Sequence, residues 1–491
     1  MSNRAIIFDN TATAKSFKTD IVVIGAGAAG LPAALAAAEA GVKNITVLEK
    51  TTVPGGNGSL CHGIFAVGTP AQKKAGYKVT TDEVFLDEME TAKGKINPIL
   101  IRNFINKSLE MYQWLEDKGL KFEHLAAMGS ALPGPGSGLP MHMFKAKLDK
   151  DMAIGRRLIE TLVKECQNKG VQILCDTPAR KILKDDDGEI WVLATTGDKE
   201  LRFNCKSVII AAGGFGGNKE MLNKYFPGYG DIYRNSVTQV TGDGLVMAEE
   251  AGAAIEDEIG IILIGPHHYP WARSLNLLVR QPHILLVNKK GERYIGSSGG
   301  GGALSRQPDK ICYGLLDSAY LKNLIQKREV LGGDMGDQGA WLDELMDDLQ
   351  KESAEGKTKI ANSLDELAGY IGAKPEVLKA TVERYNSYCD QGYDAEFLKA
   401  KELLVPLRTP PYYAVLGRQG FDSTLGGIKI NHTFEVISKD DNPIKGLYAV
   451  GDNAGGWVSR DYTPHYPGTA LAFAIYSGYT AGTKAANLIN G

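Results

Sequence analysis

Residues 19–50, TDIVVIGAGAAGLPAALAAAEAGVKNITVLEK, constrain the fold of this chain more than any other stretch. A short apolar run at 21–24 breaks into Gly25, Gly27 and Gly30, continues as an alanine-rich helical pattern, and returns as a second apolar run closing on Glu49 and Lys50. Each part has a physical reason. Gly25 permits a tight turn, Gly27 lets backbone approach a pyrophosphate, and Gly30 lets helix and strand pack closely. The helix start offers free amides and partial positive charge to phosphates, and Glu49 stands at the spacing of a carboxylate that holds ribose hydroxyls. A lone GxGxxG is weak evidence, but strand, glycines, helix, strand and acid in this order indicate an adenine-dinucleotide site rather than a merely structural turn.

The rest of the chain supplies a frame for that site. At 491 residues it exceeds what a single core supports, so two or three domains are expected. A net charge of -3 removes the electrostatic case for nucleic acid or an anionic membrane surface and leaves a small molecule as the partner. Cysteines at 61, 166, 175, 205, 312 and 389 form no CxxC or CxxCH, so neither an iron–sulfur cluster nor attached haem is encoded, and they read as reduced cytoplasmic thiols. The first twenty residues lack a signal-peptide pattern, and the one long apolar stretch is the dinucleotide motif itself.

Further motifs follow in order. Gly55, Gly56, Asn57, Gly58 and Ser59 make a loop able to press amides against a ligand, or an ordinary surface turn. Helical periodicity over 80–170 is interrupted by LPGPGSGLP at 132–140, read as a loop. A β-branched run at 208–212 ends in Gly213 and Gly214, and Thr241-Gly242-Asp243 precedes another helix. From 261 to 406 the βαβ rhythm is lost, which indicates a cap inserted into the first domain. It returns at 407–491, where a strand runs into Gly451-Asp452-Asn453 ahead of a helix beginning near Pro467. The expected fold class is α/β: a Rossmann-like domain over 1–260 and 407–491 carrying an α+β cap over 261–406.

GAGAAG with Glu49, GGNGS, AAGGFGGN, TGDG, LGGIKIN and GLYAVGDNAGG together resemble flavoproteins of the fumarate reductase and succinate dehydrogenase group, which includes ketosteroid dehydrogenases. The resemblance runs from Thr19 onward and implies non-covalent FAD. Its FAD contacts fall on Gly25, Gly27, Ala29, Gly30, Glu49, Lys50, Gly56, Asn57, Gly58, Ser59, Asp243, Asp452, Thr469 and Leu471, with Ala179 near the adenine. His62 stands a few residues late for the histidine that links flavin in membrane-bound relatives, so it reads as a core or supporting histidine.

The departures concern substrate. Where relatives carry RFVNE, this chain has RYIGS followed by a glycine run at 299–302. Asp422 and Ser423 replace histidines, and His465 replaces an arginine. A dicarboxylate needs cations to offset its desolvation, so fumarate is expected to be rejected. Tyr294, Phe421, Trp457, Tyr462, His465 and Tyr466 are expected to wall a site for a flat, uncharged ring. The missing charges resemble the tetrahydrodaidzein reductases of equol-forming gut bacteria, which remove a benzylic hydroxyl from an isoflavonoid. A steroid or enone reductase and a flavin-carrying electron-transfer subunit are the alternatives.

Proton-transfer candidates are His465 and Tyr466, each otherwise a packed aromatic, then Asp422, which would hold a phenol or cap a turn. His268, within His267-His268-Tyr269, lies where relatives place a substrate histidine; no metal site is expected there or elsewhere. Arg280 in LLVRQPH reads as a surface or interdomain cation. Without a second GxGxxG there is no dedicated nicotinamide domain, so electrons arrive from transient NAD(P)H or from a partner flavoprotein or ferredoxin, a choice the sequence leaves open.

Overall fold

The computed structural model describes residues 15–126, 138–145, 155–185, 188–297, 301–328, 339–460, 462 and 466–491. Most of the interrupting 132–140 stretch, part of the glycine run at 299–302, and His465 lie outside them. The dinucleotide motif folds as a strand β1 (Ile21–Ile24), a helix α1 (Gly30–Glu39) and a strand β2 (Ile45–Leu48), with every strand residue buried. Continuous apolar strands of this kind belong to parallel sheets covered on both faces. That sheet is completed by β3 (Gln172–Leu174), β4 (Ser207–Ile210), β5 (Glu435–Ile437) and β6 (Pro443–Ala449), in the order β5-β6-β4-β1-β2-β3. All pairs are parallel except β5 with β6. Segments from both ends of the chain therefore share one sheet, as the return of βαβ rhythm after the cap anticipates.

The C-terminal helix α2 (Thr469–Asn490) packs on α1 at unusually close range. A Cβ at Gly478 or Gly482 would stand 2.1 Å from the carbonyl oxygens of Ala29 and Ala33, so this approach is open only to glycine. Both helices thereby bring their N-termini to the same edge of the sheet.

The cap is built on one fourteen-residue strand, Tyr412–Leu425. Its first half pairs antiparallel with Ile311–Asp317 and Thr358–Ala361; its second half pairs with Gly260–His267 and, in parallel, with Tyr233–Arg234. Leu285–Val287 adds to the outer side of Ile311–Asp317. The expected boundary at 406/407 falls just before this strand, and the pairing carries the cap sheet on to Leu425. The sequence offers no marker for that, because the strand's apolar content suits either sheet. Among the described residues, no helix is long and apolar enough to cross a membrane.

Candidate functional site

A cavity of about 1210 Å³ opens between the parallel sheet and the cap. It exceeds the ~300–1,000 Å³ usual for one small ligand, which leaves room for a dinucleotide and a substrate together. At its sheet end, Gly25 adopts φ +106°, and a Cβ at Gly30 would lie 1.9 Å from the Gly25 carbonyl oxygen. A Cβ at Gly27 would meet only the Gly55 carbonyl, at 3.6 Å, so glycine there leaves cradle space beside the loop. Neither α1 nor α2 has a side-chain N-cap, and the residues at both helix starts line the cavity. Glu49 takes hydrogen bonds from the Ala26 amide and from the amide and hydroxyl of Thr51, each at 2.9 Å, and its carboxylate keeps acceptor capacity for a ribose. In the first turn of α2 the Ala470 amide is taken by the Tyr462 hydroxyl at 3.1 Å, so the helix start without a side-chain partner is that of α1. That start, the open glycine space and an acid at the ribose position fit FAD.

Gly25, Gly27, Ala29, Glu49, Lys50, Gly56, Asn57, Gly58, Ser59, Asp452 and Leu471 line the cavity. Four other predicted contacts do not. Gly30 is used for helix–strand packing. Asp243 instead receives Lys50 Nζ at 2.8 Å, together with Thr241 Oγ1 at 2.7 Å. Thr469 turns its hydroxyl to the Tyr466 carbonyl. Ala179 begins a strand of a separate four-stranded sheet.

At the cap end, a bulge explains how two neighbouring residues reach the cavity. Thr424 pairs with Ile261 and Phe421 with Leu263, so Asp422 and Ser423 stand opposite Ile262 alone. Strict alternation would turn one of them away; the extra residue re-aims the pair, and both line the cavity. Ser423 Oγ donates to Asp452 Oδ2 at 2.7 Å and accepts from Asn57 Nδ2 at 3.2 Å, while Asn57 Oδ1 accepts from the Val237 amide at 3.0 Å. Cap strand, glycine loop and Gly-Asp turn are thus joined through side chains.

The electrostatics follow from burial. Desolvation pushes the Asp422 carboxyl up to about 6, opposed by a 2.8 Å hydrogen bond from Asn235 and by the Arg280 charge. Asp452 is likewise pushed up to about 6 by burial, against the Ser423 hydrogen bond. The Cys61 thiol rises to about 12 through burial and the nearby charges of Asp452 and Asp422. His62 is lowered by burial and by Arg280.

Arg280 is therefore a cavity cation and not a surface one. Sequence reasoning underrated it, although an arginine directly after Leu277-Leu278-Val279, all buried, signals a charge held inside. The expected removal of cations is corrected to a cation balanced by Asp422. The expected aromatic wall also fails, because of Tyr294, Phe421, Trp457, Tyr462 and Tyr466 only Tyr462 lines the cavity. Trp457 stacks on Phe473 at 4.2 Å, and Tyr466 packs edge-on to Phe65 at 5.8 Å with its hydroxyl toward Asp87. These rings fill core, so Tyr466 is misplaced for proton transfer to a cavity substrate. His268 is buried in the cap, held between the Leu416 carbonyl and Glu352, and is likewise no part of the cavity.

This geometry defines a flavin-binding sheet closed by a substrate cap, and the comparisons name the class. A family model described as FAD binding domain matches residues 20–467, and the chain belongs to that family. It is 30% identical to the vinyl phenol reductase of Lactiplantibacillus plantarum, over 96% of this chain and 97% of that protein. It is similar to a flavocytochrome c3 fumarate reductase in its open conformation, with a TM-score of 0.71 and 26% identity over 96% of this chain and 79% of that one. The 3-ketosteroid-Δ4-(5α)-dehydrogenase of Rhodococcus jostii RHA1 shares the fold, with a TM-score of 0.77 and 23% identity over 99% of this chain and all of that one. The chain is an FAD-dependent oxidoreductase of the fumarate reductase-like flavoproteins, with the α/β fold expected for that group.

Proposed function

We propose that this enzyme reduces a neutral phenol at the side-chain carbon attached to the ring, para to the hydroxyl, with 4-vinylphenol as the simplest substrate. The observation that carries the reading is the Asp422–Arg280 pair. It places a carboxylate raised by burial to about 6 in the field of a permanent cation, both in the wall of one cavity. Similarity to a vinyl phenol reductase across both full lengths supports it.

Reduced FAD supplies the hydride. The protein's work is to handle the phenol. Ionised Asp422 accepts the phenolic proton and Arg280 steadies the oxygen that develops charge. Electron flow from that oxygen lets the terminal vinyl carbon take a proton from solvent, which leaves a neutral para-quinone methide; hydride supplied by bound reduced FAD would add at the benzylic carbon and restore the aromatic phenolate, and the proton held by Asp422 would return to its oxygen. Reductive loss of the benzylic hydroxyl of tetrahydrodaidzein makes the same demands. There the phenolate expels hydroxide, released as water, and hydride adds at the same carbon of the same type of intermediate. It is our second reading, for which the cavity of about 1210 Å³ leaves room beside a dinucleotide. A dicarboxylate would meet a cation already neutralised by Asp422, so fumarate is a poor substrate on this reading. Electrons come from NAD(P)H or a partner redox protein.

The test is anaerobic reoxidation of the dithionite-reduced protein. 4-Vinylphenol and tetrahydrodaidzein are expected to reoxidise the flavin, whereas 4-methoxystyrene and fumarate are not. Equal turnover of the methyl ether, or preference for fumarate or 4-androstene-3,17-dione, would overturn the phenol reading.

A further inference from the structure

The cap contributes a second, unusual piece of cavity wall at residues 394–403. Phe397 and Leu398 line the cavity, yet they remain 37% and 70% exposed. Leu398 has φ +51°, a left-handed conformation that a branched side chain adopts only when its surroundings impose it. Backbone strain of this kind gathers at ligand clamps.

What imposes it is visible. Asp394 is buried and paired bidentately with buried Arg293, at 3.0 and 2.7 Å. The same carboxylate accepts the amides of Glu396, Phe397 and Lys399, and the Leu398 amide bonds to the Asp394 carbonyl at 3.0 Å. Arg293 also lies 4.9 Å over the Phe397 ring. Buried Lys399, which also lines the cavity, donates from Nζ to the His283 and Ile284 carbonyls, at 3.0 and 3.2 Å. Fixing the backbone this firmly only to present two apolar side chains to water brings no stability of its own. A ligand that covers those side chains would remove the exposed apolar surface at no further cost in loop ordering.

We propose that Phe397 and Leu398 form a rigid apolar lip that covers the non-reacting second ring of the substrate, so that the enzyme favours two-ring phenols over one-ring ones. This rests on the phenol reading, which places the first ring at Asp422 and Arg280. The lip lies on a different segment of the same wall.

Glycine tolerates φ +51° without strain, so Leu398→Gly deletes half the lip while relaxing the backbone, and its melting temperature is expected to equal or exceed that of the wild type. KM and kcat are measured for 4-vinylphenol and for 4-hydroxystilbene, which extends the same vinyl group with a second ring. The wild type is expected to show the lower KM for 4-hydroxystilbene. In Leu398→Gly that KM is expected to rise about tenfold or more relative to the KM for 4-vinylphenol, the scale of lost apolar contact in a pocket. Phe397→Ala is expected to move the ratio in the same direction. If both compounds turn over and the KM ratio stays at the wild-type value, or if the wild type accepts only 4-vinylphenol, the lip is overturned and the phenol reading stands. Turnover of neither compound by the wild type overturns both.

Discussion

Asp422→Asn separates the chemistry of the cap bulge from its cost to the fold. Burial raises the Asp422 carboxyl from 3.8 to about 6, so roughly one-tenth is ionised at pH 5 and roughly nine-tenths at pH 7. If ionised Asp422 accepts the phenolic proton, kcat/KM of the wild type falls on the acid side with a midpoint near 6. The asparagine variant then loses that limb together with about 10²–10⁴-fold in rate, while FAD remains bound. Stability moves oppositely. A carboxyl whose folded pKa lies above its unfolded value stabilises the protein fully only below the unfolded value, and that contribution is lost as pH rises through the folded one. Ionising the buried carboxyl at pH 7 therefore costs the fold about 3 kcal/mol at most, which the neutral amide avoids. Asp422→Asn is thus expected to melt higher than the wild type at pH 7, the gap closing as pH falls toward 4. Anaerobic pH–rate profiles and thermal denaturation of the FAD-free protein at both pH values read the two effects. A variant that keeps the acid limb, or that is less stable at pH 7 than the wild type, refutes the assignment of Asp422 as a buried base.

Other perturbations follow from the same geometry. Gly30→Val places side-chain atoms against the Gly25 carbonyl, which has no room to yield, so the purified protein is expected to be colourless, lacking the flavin absorbance that the wild type shows. Arg280→Met removes the charge that favours ionised Asp422, so the acid limb of kcat/KM is expected to move to higher pH and the KM for 4-vinylphenol to rise; a profile identical to that of the wild type would exclude Arg280 from the phenol site. Ser423→Ala removes the donor that opposes the raised pKa of Asp452, so its carboxyl moves further up and the stability lost grows as pH rises from 4.5 to 8, reaching about 1.5–3 kcal/mol. A loss independent of pH would mean that Ser423 only packs.

The flavin end of the site was legible because backbone geometry fixes it. Gly25 and Gly30 sit where a Cβ cannot, and Glu49 must stand a set distance along the chain from the turn it serves, so residue type and spacing carry the information directly. The substrate end depends on which way side chains point, and there the sequence misled. Trp457, Phe421 and Tyr466 lie close in sequence to functional turns, but a large ring gains more by filling the core against Phe473 or Phe65 than by facing a cavity. Arg280 was underrated for the converse reason: a cation normally stays in water, and the carboxylate whose charge it feels, Asp422, stands 142 residues further along. Asp243 was expected at the cofactor and instead anchors Lys50, a pairing that spacing does not reveal.

The bulge at Asp422 and Ser423 shows why the substrate end can change its chemistry while the flavin end cannot. A regular strand presents every second residue to the cavity, so replacing one histidine would alter one contact. With two residues opposite Ile262, both positions face inward, yet they serve different masters: Asp422 is tuned by Asn235 and Arg280 on the cap side, whereas Ser423 is tied to Asn57 and Asp452 on the flavin side. One position can therefore acquire a carboxylate suited to a phenol while its neighbour preserves the hydrogen bonds that join cap to cofactor domain. A substitution at the first changes what is bound; a substitution at the second loosens how the cap is held.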